Sequence, residues 1–446
     1  MIAHHRRGLD ERICDDRIKI RQFSVSTIDR RNSLPNKFSS VSSKPITTQP
    51  TPMKYLHLLL PLLLTQSIFA QTTLPVIKAT SKKVAINDDG ILDKNAWSLS
   101  PTARPDVYTA GRTRKTKWVT FYTDLDSIKV KVKPGTRFNF VILLNGKDSC
   151  YTQIASSFPP EDPLKRNLVI NDTIPFTLTA ANAIHVKAVI NNSDTLNMHF
   201  DISSFDFHIT KAAILKKKLL ANQPDAMAGK AEPNYNKLAK IFKLQIGNMT
   251  WNDPPVSATS LAAEEMDGRI GWTVFNDKII ELDYDKSLMI IHSKLPKGLK
   301  SYSKAKLGFT RYDPYINATF EIAGKQYTGG FIMDNGSAEA VILNGEWAAK
   351  QNFPTNLKVI KTASIRDADG HTYETNTVIA PVLKLNGFAL INIPTIVLSS
   401  KIRVENTLNF FGNGALKRFN MILDLKNDYI YLKPNKLFDV KYKGDS

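Results

Sequence analysis

Residues 329–343 read GGFIMDNGSAEAVIL. Asp334, Asn335 and Gly336 sit between two apolar runs, and the stretch admits two readings. Asn-Gly in that setting predicts a two-residue β-hairpin, because both residues tolerate the positive φ that a type I′ turn demands. Alternatively a strand ends at Asp334 and the turn holds its carboxylate out for chemistry.

The chain carries a second copy of the pattern. FDISSFDFHIT, residues 200–210, overlies MDNGSAEAVIL, residues 333–343, so that Asp201 and Asp334 correspond at a separation of 133; Phe176-Thr177 and Phe309-Thr310 keep the same separation. Gly247, Asn252 and Pro254 find Gly387, Asn392 and Pro394 at 140. GRIGWTVFNDKIIELDYDKSLMIIH then overlies NFFGNGALKRFNMILDLKNDYIYLK at 141, bringing Gly271 onto Gly412 and Asp283 onto Asp424. An offset that grows by only eight residues predicts one unit present twice, with a small insertion in the second copy.

The units span residues 174–300 and 308–438, and both consist mostly of short alternating or apolar runs that predict strands. A carboxylate at a sharp turn is projected from a rigid strand end. Two such turns related by a pseudo-two-fold bring two carboxylates together. Like charges that close cannot both ionise, so the pair shares a proton; one member acts as base on a water while the other polarises a carbonyl.

On these residues the chain resembles the retropepsin-like and pepsin-like aspartic proteases, in particular exported bacterial proteins with two retropepsin-type lobes behind a β module. FIMDNGS matches the catalytic turn, and FFGNGALKRFNMILDLKNDYIYL matches the segment that closes a lobe. The resemblance implies an all-β fold of two β-barrel lobes about a pseudo-two-fold. It also implies an aspartic-type endopeptidase that needs no cofactor and no metal and acts on peptide or protein substrates in an interlobe cleft. Asp201 and Asp334 are then the catalytic pair, their carboxylates at hydrogen-bonding distance, roughly 3 Å, or bridged by one water. Phe410-Phe411-Gly412 braces the second turn and Arg269-Ile270-Gly271 the first.

The turns depart from the family pattern. Asn335 stands where Thr or Ser is usual, while Gly336 and Ser337 are kept; in the first unit Ile202 and Ser203 replace both the hydroxyl residue and the glycine. The Ile202 side chain cannot hydrogen-bond across the lobes, and a β-branched residue is poorly suited to positive φ. Ser204 and Ser337 are candidates to orient the neighbouring carboxylates. SIRDADGHTYETNTV offers a hairpin with Asp369 and Gly370 at its tip, either a water-excluding flap or a surface turn, whereas QPDAMAGKAEPNYNK in the first unit is not obviously a hairpin. The departures keep a second reading open: a degenerate member that binds peptides or proteins without cutting them.

Upstream, residues 71–173 read as a β module of short strands and turns such as SIKVKVK and FNFVILLNG, with Trp97 as a core residue. Residues 1–70 form a prefix and signal peptide: Lys54, a short apolar run and Ala70 predict translation from Met53, export to the periplasm or medium, and cleavage near Ala70. The apolar run, broken by His57 and Pro61, is too short for a comfortable membrane span.

Removing residues 1–70 takes away 11 basic and 5 acidic side chains and lowers the formal charge from +19 to +13. The remaining lysines are scattered, the densest group, Lys216 to Lys218, reading as a solvated helix face, and no nucleic-acid motif is present. His199, His208 and His371 lack the spacing of a helical zinc site. Cys150 is the one cysteine beyond the prefix and reads as a small hydrophobe. Asp283 and Asp424 read as turn acids.

Overall fold

The computed structural model describes residues 74–442 apart from 102–104, 158–170, 205–206, 221–240, 253, 255, 260–265, 277, 311–312, 367–371 and 402–407. The expected signal segment, its cleavage point, Asp369, Gly370 and the first-unit counterpart of the flap lie outside the described residues. The fold is all-β: two four-stranded sheets, then two eight-stranded sheets and a six-stranded sheet between them.

Each eight-stranded sheet is built around one inserted strand. In the first, Ile184–Ile190 pairs antiparallel with Asp194–Asp201, and the chain turns toward Phe207–Thr210. These last two strands do not form a hairpin. Gly268–Gly271 lies between them, parallel to Asp194–Asp201 with Asp201 opposite Gly271, and antiparallel to Phe207–Thr210. In the second, Asp313–Ile322 pairs with Lys325–Asp334, and Asn409–Gly412 inserts between Lys325–Asp334 and Val341–Leu343, with Asp334 opposite Gly412. The outer strands repeat too, since Val256–Thr259 runs parallel to Phe207–Thr210 as Phe388–Val397 does to Val341–Leu343. Two units with one topology make the pseudo-two-fold expected from the repeat.

The six-stranded sheet joins them. Its order is Ser303–Lys306, Tyr429–Pro434, Phe419–Asp424, Ile279–Asp283, Leu288–His292, Asn171–Pro175. The central antiparallel pair, with Ile279 opposite Asp424 and Leu282 opposite Met421, takes one strand from each unit, and an antiparallel pair is its own image under a two-fold. One apolar cluster, including Phe200, Trp272, Phe331, Phe411 and Phe419, runs through both units. At its centre Phe411 stacks on Phe331 with ring centroids 4.6 Å apart, fixing the inserted strand against the strand that ends in Asp334. Asp283 and Asp424 end their strands and cap turns, their Oδ1 atoms accepting from the Lys286 and Lys426 amides at 3.0 and 3.1 Å.

The N-terminal module is a separate core. Val84, Trp97, Phe121, Phe140 and Ile154 are buried between its two sheets, with edge-to-face contacts linking Trp97, Phe121 and Phe140. Cys150 is buried there, and burial pushes its thiol up to about 11, which makes it a packing residue rather than a nucleophile.

Arg112 fastens this module to both units. Its side chain is 0% exposed, its Nε and Nη2 donate to Asp428 Oδ1 at 3.2 and 3.1 Å, and its Nη1 donates to Asn276 Oδ1 at 3.3 Å. Its guanidinium lies 5.1 Å from the Trp272 ring centroid and 4.9 Å from that of Phe309. Trp272 directly follows Gly271, so the module reaches the segment behind Asp201. Arg112→Met strands a carboxylate whose side chain is 8% exposed. The expected cost is about 3 kcal/mol, near the low end for a broken buried pair because Arg114 also bonds Asp428. Arg114→Met, at a site whose side chain is 40% exposed, is expected to cost no more than about 1 kcal/mol. Urea denaturation of the two variants checks the order.

Candidate active site

The two candidate turns have one backbone design. The Ser204 N–H donates to Asp201 O at 3.2 Å, and the Ser337 N–H donates to Asp334 O at 3.1 Å. Each turn is braced from below by the residue after the inserted strand: Trp272 N–H to Ser204 O at 3.0 Å, and Asn413 N–H to Ser337 O at 2.8 Å. The approach is so close that a Cβ on Gly412 would stand 2.0 Å from Glu339 O, which is why the brace must end in glycine. None of Ile202, Ser203, Asn335 and Gly336 takes a positive φ. The Asn335-Gly336 turn is therefore not a type I′ hairpin, and Ile202 fits its turn without backbone strain.

Asn335 ties the two turns together. Its Oδ1 accepts from the Ile202 N–H at 2.6 Å and its Nδ2 donates to Phe200 O at 2.8 Å, all within a buried environment. The Ile202 side chain is fully buried among apolar neighbours and takes no part, as its chemistry requires. Its backbone makes the cross-lobe bond instead. One amide thus serves as acceptor and donor at once, a task for which its two ends are suited.

The carboxylates meet through a hydroxyl. Ser203 Oγ lies 2.8 Å from Asp201 Oδ1 and 3.0 Å from Asp334 Oδ1, which places the two oxygens within about 6 Å of one another. The Ser203 N–H also donates to Asp201 Oδ1 at 3.0 Å, and the Gly336 N–H donates to Asp334 Oδ1 at 3.1 Å. Arg269 Nη1 stands 3.8 Å from Asp201 Oδ2. Asp201 is 0% and Asp334 7% exposed. The expectation was a direct contact or one bridging water; the atom placed on both oxygens is the hydroxyl oxygen of Ser203.

That atom constrains the protons. A serine hydroxyl has one hydrogen to donate, so it satisfies both contacts only by giving to one carboxylate and accepting from a protonated partner. Ser203 was legible only as the residue in place of the family's glycine. Its position two after Asp201, where the second unit has Gly336 two after Asp334, is the signal that marks it. Arg269 is likewise more than a brace, since the same residue that precedes Ile270-Gly271 reaches Asp201. The hydrogen bonds described for Ser204 and Ser337 run through their backbones, apart from a 3.4 Å contact from the Glu339 N–H to Ser337 Oγ.

The candidate flap strands pair antiparallel as a hairpin from Val359–Arg366 to Thr372–Leu385, with Arg366 opposite Thr372; the tip falls in the undescribed stretch. Among the described residues no helix is long and apolar enough to cross a membrane, and no group of three or more His, Cys, Asp or Glu is placed to hold a metal ion.

Among solved structures the chain is similar to the aspartic proteinase from Irpex lacteus, at 12% identity and a TM-score of 0.42, over 61% of this chain and 100% of that one. No protein-family model and no curated protein matches the chain.

Proposed function

We propose that this protein is an exported aspartic-type endopeptidase in which Asp201 and Asp334 are the catalytic pair. The observation that carries the reading is the pair of equivalent turns whose carboxylates share one bridging hydroxyl, a geometry that fits one proton between two acids. The Ser203 and Gly336 amides serve the two acids alike, and Arg269 is what favours negative charge on Asp201 and leaves the proton on Asp334. Asp201 then takes a proton from a water as that water adds to the scissile carbonyl, and Asp334 gives its proton to the carbonyl oxygen. As the C–N bond of the resulting diol breaks, Asp201 gives its proton to the departing amine and Asp334 takes the proton of one diol hydroxyl, which becomes the new carbonyl and restores the starting state. Ser203 touches both acids and passes the shared proton between them.

Both acids are nearly buried, so substrate entry requires the cleft to open, and the hairpin ending at Arg366 and Thr372 is the element suited to that movement. The segment from Met53 to Ala70 serves as the export signal, and residues 71–173, 174–300 and 308–438 are the module and the two lobes.

One observation favours a second reading. The Ser203 hydroxyl fills the space between the carboxylates, and a cleft plugged there binds peptides without cutting them. Incubating the protein from Gln71 onward with denatured casein between about pH 2 and 8, with and without a statine-type inhibitor, separates the two. The protease reading expects inhibitor-sensitive cleavage with an acidic optimum, in the range where a close pair of carboxylates holds a single proton. No cleavage at any pH overturns it, and cleavage gained only in Ser203→Gly establishes the plug.

A further inference from the structure

The two carboxylates share a design, but the sheets beside them do not. Two residue pairs back from Asp201 and Gly271, the first sheet carries a row of His199, Arg269, His208 and Ser257 in direct register. The matching row of the second sheet, two pairs back from Asp334 and Gly412, is Ile332, Phe410, Ile342 and Ile396. Alternation along each strand puts both rows on the face that carries the carboxylates. The opposite face holds the core residues Met198, Phe200, Ile270 and Phe207, and, in the second unit, Phe331, Met333, Phe411 and Val341. Arg269 confirms the direction, since its Nη1 reaches to 3.8 Å from Asp201 Oδ2 while its Nη2 lies 3.4 Å from Thr259 Oγ1.

The row is polar and basic where its counterpart in the second sheet is apolar. His199 is as buried as Asp201, and His208 is buried beside it, where the second unit places aliphatic and aromatic side chains that pack without desolvation cost. One counter-charge for Asp201 needs Arg269 alone. Three groups that all donate N–H bonds along one wall match a carboxylate with several acceptor sites. Burial does not remove the row from a substrate's reach, because Asp201 is just as buried, and the opening that admits a peptide to Asp201 uncovers its neighbour in the sheet.

Building on the reading of Asp201 and Asp334 as a peptide-hydrolysing pair, the geometry points to a split specificity. The first-lobe side of the cleft takes an acidic residue, Asp or Glu, next to the scissile bond, and the second-lobe side takes an apolar one. His199, Arg269 and His208 are the residues that select the acid; Ile332, Phe410 and Ile342 select the apolar side chain.

Isosteric peptides that differ only in Glu against Gln, placed in turn on either side of a scissile Leu or Phe, read this directly. The expected kcat/KM ratio favours Glu by about tenfold or more on one side and by less than about twofold on the other, the scale of a charge-assisted bond gained or lost. In Arg269→Gln and in His208→Gln the Glu preference falls toward one. The ratio within each variant is the readout, so a general loss of rate at Arg269 does not imitate the effect, and His208→Gln stands further from Asp201 should Arg269→Gln fail to fold. Reduced-bond versions of the same peptides, followed by calorimetric binding, separate this inference from the catalytic one. Glu-selective binding without cleavage upholds the subsite and rejects hydrolysis; cleavage with no Glu preference does the reverse. Failure to bind either peptide overturns the subsite as well.

Discussion

Asp334→Ala is expected to lower peptide-bond hydrolysis by about four orders of magnitude or more, the scale on which removal of one member of a catalytic unit is felt. The protein should stay folded. Asp334 sits at a turn whose backbone is held by Asn413 below it and by Asn335 across the lobes, neither of which its carboxylate supports. Loss of the carboxylate leaves the Gly336 N–H and the Ser203 hydroxyl to find other partners, a cost of roughly 1–3 kcal/mol. Near-ultraviolet circular dichroism and a casein assay on one preparation give both quantities. Full activity with an intact fold removes Asp334 from the chemistry.

The second large effect is expected at Asn335. Its amide meets both Ile202 N–H and Phe200 O, in surroundings that are buried. Asn335→Ala leaves a donor and an acceptor unsatisfied at the joint between lobes, for a loss of roughly 2–6 kcal/mol on the usual cost of about 1–3 each. Asn335→Thr tests the geometry rather than the chemistry. A threonine hydroxyl can also donate and accept, but it ends about one bond length, roughly 1.5 Å, short of where the amide oxygen stands. The expected outcome is lower stability than the parent in urea and no gain in turnover. A rise in turnover means that the family's hydroxyl, not the amide, is what this joint lacks.

The repeat was the legible part of the fold, and the reason is physical. The glycine beneath the second carboxylate is held by close backbone approach, since a Cβ 2.0 Å from Glu339 O leaves no freedom at Gly412. Offsets of 133 at Asp201 and Asp334 and 141 at Gly271 and Gly412 therefore survive as register partners in the sheets. The Asn-Gly signal failed as a hairpin predictor because a strand more than 60 residues downstream inserts between the two it would have joined, and no local propensity reports such an insertion.

The site was legible only in part, for a different reason. Departures from a family pattern read as damage when each is taken singly. Ile202 lacks a hydroxyl and Asn335 has an unusual one-for-two amide, yet the two are complementary across the lobes, and complementarity between residues 133 apart is invisible until they are brought together. Ser203 is the same case. In place of glycine it adds a hydroxyl, and only the meeting of both turns shows that hydroxyl at the centre of the pair. His199, Arg269 and His208 come from three strands, and register alone lines them up.

The central claim is that Asp201 and Asp334 act on one substrate atom. A crystal structure of the protein with a statine-type peptide bound at acidic pH tests it most directly, because the inhibitor's hydroxyl takes the place of the oxygen that adds to the carbonyl. The account predicts that hydroxyl within about 2.6–3.0 Å of a carboxylate oxygen of Asp201 and of Asp334 together, with the peptide running between the lobes. An inhibitor that binds elsewhere, or one that lies in the cleft with its hydroxyl held by only one carboxylate or by neither, contradicts it.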